Sequence, residues 1–265
     1  MTGKVGQVIV FVGPSLPLAV ARKLLDADYR PPAQAGDLYL ATLERPAAIC
    51  LIDGVFEAVP AVWHKEILYA LTEGIPVFGA SSMGALRAVE LQPFGMRGVG
   101  RVFEAFASGE IEDDDEVALI HAPRQAGYRP LSEPLVNIRE VLQRAVSASV
   151  VSPATKVQLV AIAKQQFYPE RNWNRITALG AQEGVSTAEI ERLLAFIAAE
   201  EIDVKREDAL SLLRYMAEIS KRGFEPFKPA FQLQHSVFFT RFTEALCEGR
   251  GNRSAEEYKG SNGED

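Results

Sequence analysis

Cysteine is scarce in this 265-residue sequence. Cys50 stands in an apolar run and Cys247 near the tail, too few for a disulfide framework or a zinc knuckle, and a reducing, cytoplasmic setting is expected. Long apolar runs are also missing. Nothing approaches the roughly 18 uninterrupted residues of a membrane span, and MTGKVGQVIVFVGPS lacks a small-residue cleavage site, so neither membrane insertion nor export is expected. Basic charge is in deficit: 28 Lys and Arg against 35 Asp and Glu give a formal net charge of −7. That balance removes the electrostatic footprint of a nucleic-acid binder and favours a protein or small-molecule partner. Hydrophobic residues, at 48%, suffice for one large core or two small ones.

The apolar residues fall into short runs followed by helical spacing. QVIVFV precedes Gly13-Pro14 and the helical LPLAVARKLLDA; AAICLIDG precedes VWHKEILYALTEG; IPVFGAS precedes MGALRAVEL. GDLYLATL, between the first two units, reads as a further strand. This alternation predicts an α/β fold, a Rossmann-like parallel sheet with helices on both faces, whose ligand crevice lies at the carboxyl ends of the strands. Three loops then converge: Gly13-Pro14-Ser15, Asp53-Gly54-Val55-Phe56 and Gly79-Ala80-Ser81-Ser82. After Phe94 the strand signals fade into helical patterns. The expected division is an α/β core over 1–147, a helical C-terminal region over 148–247 and a polar, Gly-rich, disordered tail over 248–265.

The segment GASSMGALRAVE carries the strongest chemical signal. Ala80-Ser81-Ser82-Met83-Gly84 is small-x-Ser-x-small, the pattern of a nucleophile elbow, and Ser82 fits it best. Ser81 satisfies the left half, and a one-residue shift of the strand end exchanges the two. The same small residues also suit close strand-to-helix packing with one serine as a cap. A Walker phosphate loop fails, because Ala85-Leu86 stand where Lys and Ser/Thr are required. Backbone N–H groups from Met83 onward would hold an oxyanion. His64 and Lys65 open the helix after the Asp53 loop, and Lys65 lies off that helix's apolar stripe. A lysine in a first helical turn opposes the helix dipole, and partial burial adds to the effect, so both favour the neutral base. Gly13 and Ser15 could supply further donors, Arg87 a positive charge. Asp113, Asp114, Asp115 and Glu116 form an acidic run without calcium-loop spacing, read as a contact surface. No metal or cofactor is expected.

Several segments, GPSL, PPAQAGD, LIDGVFEAVPAVWHKEIL, GASSMGALRAVEL, FGMRGVG, DDDEVAL and SEPLVNIR, occur in an order that resembles TfuA-like proteins over roughly residues 9–140. The resemblance implies an accessory protein of YcaO enzymes in peptide backbone thioamidation. It would hydrolyse the C-terminal thiocarboxylate of a ThiS-like sulfur carrier and release sulfide for YcaO and its precursor peptide. The family's Ser-Lys pair would fall on Ser82 or Ser81 and on Lys65, the only lysine in the matched motifs. A non-catalytic YcaO adaptor is the alternative.

Overall fold

The computed structural model describes residues 6–56 and 59–260, with side chains as far as Glu248. Five strands form one parallel sheet: β1 (Val8–Phe11), β2 (Asp28–Arg30), β3 (Ala48–Leu51), β4 (Val77–Ala80) and β5 (Arg97–Val99), in the order β2-β1-β3-β4-β5. β1, β3 and β4 are buried along their whole length, as strands covered on both faces must be. β2 and β5 are three-residue edges with partly exposed, polar members. They carry no apolar run, which is why only the central strands stood out in the sequence.

Side chains alternate across the sheet. Ile9, Phe11, Ile49, Leu51 and Val77 face one layer, built from α2 (Asp37–Leu43), α3 (His64–Thr72) and α4 (Met83–Leu91). GDLYLATL is therefore a helix, not the expected strand. Leu38, Ala41 and Thr42 are its buried stripe, and the carboxylate of Glu66 caps its start by accepting the N–H groups of Gly36 at 2.9 Å and Tyr39 at 3.2 Å. A partner distant in sequence decides that segment.

Val8, Val10, Cys50, Phe78 and Ala80 face the other layer, made by α1 (Leu18–Leu24) and, from the far end of the chain, α10 (Val204–Ser220). Between them in sequence, α5 (Arg101–Ser108) packs beside α4. Four helices, α6 (Leu135–Ser147), α7 (Pro153–Gln165), α8 (Trp173–Gln182) and α9 (Thr187–Ala199), share a separate apolar cluster. The helical region thus returns to the sheet through α10. Its Leu212, Leu213 and Met216 are fully buried there, each such side chain worth about 1.5–3 kcal/mol. The last described element is α11 (Val237–Gly260), which runs through most of the segment expected to be a disordered tail, and residues 261–265 lie outside the described part. Among the described residues no helix is long and apolar enough to cross a membrane.

Candidate active site

In this strand order the chain leaves β1 and β3, which are neighbours, toward opposite edges of the sheet, and a crevice opens at their carboxyl ends. Asp53, two residues past β3 and fully buried, fills the floor of that crevice. Its Oδ2 accepts the N–H groups of Gly13 at 2.8 Å and Ser15 at 3.0 Å, and its Oδ1 accepts the hydroxyl of Ser15 at 2.6 Å. The hydroxyl of Ser81 donates to Ser15 Oγ at 2.8 Å. A carboxylate can only accept, so the direction is fixed: Ser81 donates to Ser15, and Ser15 to Asp53.

The turn after β4 is strained. Ser82 N–H bonds to the carbonyl of Ala80 at 2.8 Å around Ser81, whose φ is +69°. That is a γ-turn of the positive-φ hand, rare for any residue and unusual for one bearing a side chain. The glycines around it allow close approach: a Cβ on Gly84 would come within 1.8 Å of the Leu51 carbonyl oxygen, and one on Gly79 within 2.0 Å of the Gly84 carbonyl oxygen. Close packing and a raised serine turn are thus one device. Ser82 is the residue before α4, is 3% exposed, and its hydroxyl bonds to no described residue, not even as a cap. The adjoining N–H of Met83 also has no acceptor among the described residues, which leaves a donor beside Ser82.

Ser82 lines a cavity of about 470 Å³ with Pro14, Gly54, His121, Tyr168 and Lys205. Lys205, in the first turn of α10, is 2% exposed, and its ammonium nitrogen donates to the Val117 carbonyl at 2.8 Å. Burial pushes its pKa down, while the charges of Asp53 and Asp203 pull it back up. The positive end of α10 adds to the penalty on the ammonium. Asp203 caps this helix through the N–H of Arg206 at 3.0 Å and is itself held by Asn137 Nδ2 at 2.9 Å, which fixes where Lys205 enters. A hydroxyl and an N–H without partners among the described residues, beside a lysine that burial pushes toward its neutral form, make a set suited to acyl transfer.

Residues 53–172 match the family described as TfuA-like protein. Over that span the chain is similar to TfuA-like proteins. Curated proteins give no match to it. The TfuA-like span takes in Asp53, Ser81, Ser82, His121 and Tyr168, while Ser15 and Lys205 reach the same crevice from either side of it.

Other residues singled out in the sequence are placed elsewhere. Lys65 Nζ donates to the Gln234 carbonyl and to Ser236 Oγ, both at 3.0 Å, and lies over the Phe239 ring, so it anchors the segment leading into α11. It shares no hydrogen bond with Ser81 or Ser82. His64 and Arg87 both reach Glu90, at 2.9 and 2.6 Å, and Arg87 also donates to the Val62 carbonyl. Gly13 and Ser15, expected as oxyanion donors, spend their N–H groups on Asp53. The acidic run is largely an internal ionic clasp: Arg139 holds the buried Glu116, Lys164 holds Asp113 and Asp115, and the buried Arg171 holds Asp115.

Lys205 and His121, which line the Ser82 cavity, were not singled out in the sequence. The dipole argument made for Lys65 holds for Lys205, and the signal was present in Asp203-Val204-Lys205, a cap followed by a first-turn lysine.

Proposed function

We propose that this TfuA-like protein is a hydrolase that releases sulfide from the thiocarboxylate of a ThiS-like carrier for a YcaO enzyme, and that Ser82 is its nucleophile with Lys205 as base. The observation that carries this reading is the Ser82 hydroxyl, without a partner among the described residues, following the strained turn at Ser81 and in one cavity with the buried Lys205. The family's association with YcaO-dependent thioamidation supplies the setting.

Neutral Lys205 takes the Ser82 proton as Oγ attacks the thiocarboxylate carbon, and the Met83 N–H stabilises the oxyanion. The C–S bond breaks, and the Lys205 proton leaves with the sulfur as hydrosulfide. The carrier remains esterified on Ser82 until water releases it as a carboxylate. Ser81, whose proton is committed to Ser15, holds the turn. The base is assigned to Lys205 and not to Lys65 because Lys205 lines the Ser82 cavity, whereas Lys65 is bonded to Gln234 and Ser236.

The test is sulfide release from a thiocarboxylated carrier by the Ser82→Ala, Ser81→Ala, Lys205→Met and Lys65→Ala variants. Activity is expected to vanish with the first and third and to persist in the last. Full activity of Ser82→Ala and Lys205→Met would sink the proposal. An inactive Ser82→Ala protein that still tightens YcaO's grip on its peptide would separate an adaptor role from catalysis.

A further inference from the structure

The hydrolysis just described has two halves, and Lys205 is placed for only one of them. It sits deep in the cavity, already bonded to the Val117 carbonyl. Water that releases an acyl-Ser82 must arrive from the open side. Residues 120–131 form a loop folded back on itself by two bonds, Leu131 N–H to the Ile120 carbonyl and Ala122 N–H to the Arg129 carbonyl, both 2.8 Å, and Ile120 and His121 of this loop line the cavity. His121 stands at the base of this loop, half-buried, on the wall of the Ser82 cavity.

The ring of His121 is held in a definite state. Its Nδ1 lies 2.9 Å from the carbonyl oxygen of Ala122. A carbonyl oxygen only accepts, so Nδ1 carries the hydrogen, and in the neutral ring Nε2 keeps its lone pair. The ring edge packs against Tyr128 at 5.4 Å and an interplanar angle of 76°, which fixes its plane. Nε2 bonds to no described residue.

We propose that His121 is the catalytic base of the deacylation half-reaction. The inference rests on Ser82 being acylated. In the step, Nε2 removes a proton from water as the water oxygen bonds to the acyl carbon. The bond from that carbon to Ser82 Oγ then breaks, and the proton on Nε2 passes to Oγ, regenerating the serine and a carboxylic acid. No oxidant or second reactant is needed. Lys205 serves acylation from below, and His121 serves hydrolysis from the solvent side.

The experiment uses the full chain and p-nitrophenyl acetate as the acylating probe, with rapid mixing to follow p-nitrophenolate and intact-protein mass to follow the acetyl adduct. His121→Ala is expected to give an undiminished burst, acetyl-Ser82 that accumulates, and steady turnover reduced about 100-fold or more, the range of a lost general base. Imidazole added to the buffer is expected to restore turnover, which a merely structural role of His121 would not allow. His121→Asn, which retains a donor for the Ala122 carbonyl but no Nε2 base, should also accumulate the adduct. Unchanged turnover in both variants, or a burst that falls in step with turnover, overturns the proposal. Absence of any acetyl adduct on Ser82 in the unmodified protein removes the acyl-enzyme reading itself, and this proposal with it.

Discussion

Replacing Asp53 by asparagine changes one atom and should loosen the whole crevice. The carboxylate accepts three hydrogen bonds, two from backbone N–H groups and one from the Ser15 hydroxyl, in a fully buried position. Bonds to a charged group contribute about 1.5–3 kcal/mol against about 0.5–1.5 for neutral pairs, so each loses about 1 kcal/mol. An amide oxygen can keep the N–H groups of Gly13 and Ser15. Its NH2 group then faces Ser15 Oγ, which must turn from donor to acceptor and pass its own proton to Ser81. The Ser81 to Ser15 direction reverses, but all contacts survive in weaker form. The expected loss is at most about 3 kcal/mol, which for a chain of this size lowers Tm by roughly 6–12 °C. Asp53→Ala leaves three buried donors unpaired at about 1–3 kcal/mol each and should be clearly worse. Urea unfolding followed through Trp63 and Trp173, with calorimetry for Tm, measures both. An Asp53→Asn protein within about 1 °C of the parent, or an alanine variant no worse than asparagine, refutes the reasoning.

Lys205→Met should abolish sulfide release yet stabilise the fold by about 1–4 kcal/mol, as exchanges of buried ionic groups for apolar ones often do. Because burial lowers the folded-state pKa of Lys205 below its ordinary 10.5, the penalty is complete at acid pH and fades as pH rises toward 10.5, so the two unfolding curves should converge there. Asp208, which accepts the N–H groups opening α5, is raised by burial to about 6 from 3.8. A raised acid contributes stability below its unfolded pKa, so about 3 kcal/mol should be lost from this group as pH climbs from about 4 through 6, with the carboxyl carbon resonance of Asp208 reporting the midpoint. Lys65→Ala should leave hydrolysis intact and increase hydrogen exchange in residues 234–242, the segment its ammonium group holds. At Ser81, glycine should be more stable than alanine by about 1 kcal/mol, since both lose the hydroxyl and only alanine keeps the strain of positive φ; alanine equal or better in urea unfolding removes the strained turn from the account.

The central sheet was legible because β1, β3 and β4 must be apolar on both faces, and the serine turn because its glycines and alanines have few other uses. β2 and β5 were hidden by the opposite logic: an edge of three residues is kept polar, as in Asp28 and Arg30, which pair with each other. GDLYLATL misled because its apolar residues suit a short strand as well as the helical stripe Leu38, Ala41 and Thr42, and Glu66, distant in sequence, caps it as a helix. The acid run misled in another way. Its charges looked like a contact surface until Arg139, Lys164 and Arg171, all from the helical region, were seen to absorb most of them. Lys65 was singled out because adjacency to a strand loop is visible in sequence, whereas the return of α10, which brings Lys205 to the Ser82 cavity, is a tertiary fact.

That return gives the C-terminal helices a role that no motif announced. Lys205 is costly to bury, and a lysine on a free helix end would turn out to water. Here α10 is fastened at three points: Asn137 of α6 holds its cap, Asp208 grips the start of α5, and Leu212, Leu213 and Met216 lie under the sheet. Lys205 and Asp208, one turn apart, share a face, so the contact that secures the helix also sets the direction of the ammonium group. The ionic clasp on residues 113–116 fixes the neighbouring Val117 carbonyl, to which Lys205 donates. The helical cluster is therefore the mechanical support of one buried amine. The matched span of 53–172 supplies the serine turn and the wall of the cavity, and the rest of the chain brings the lysine to it.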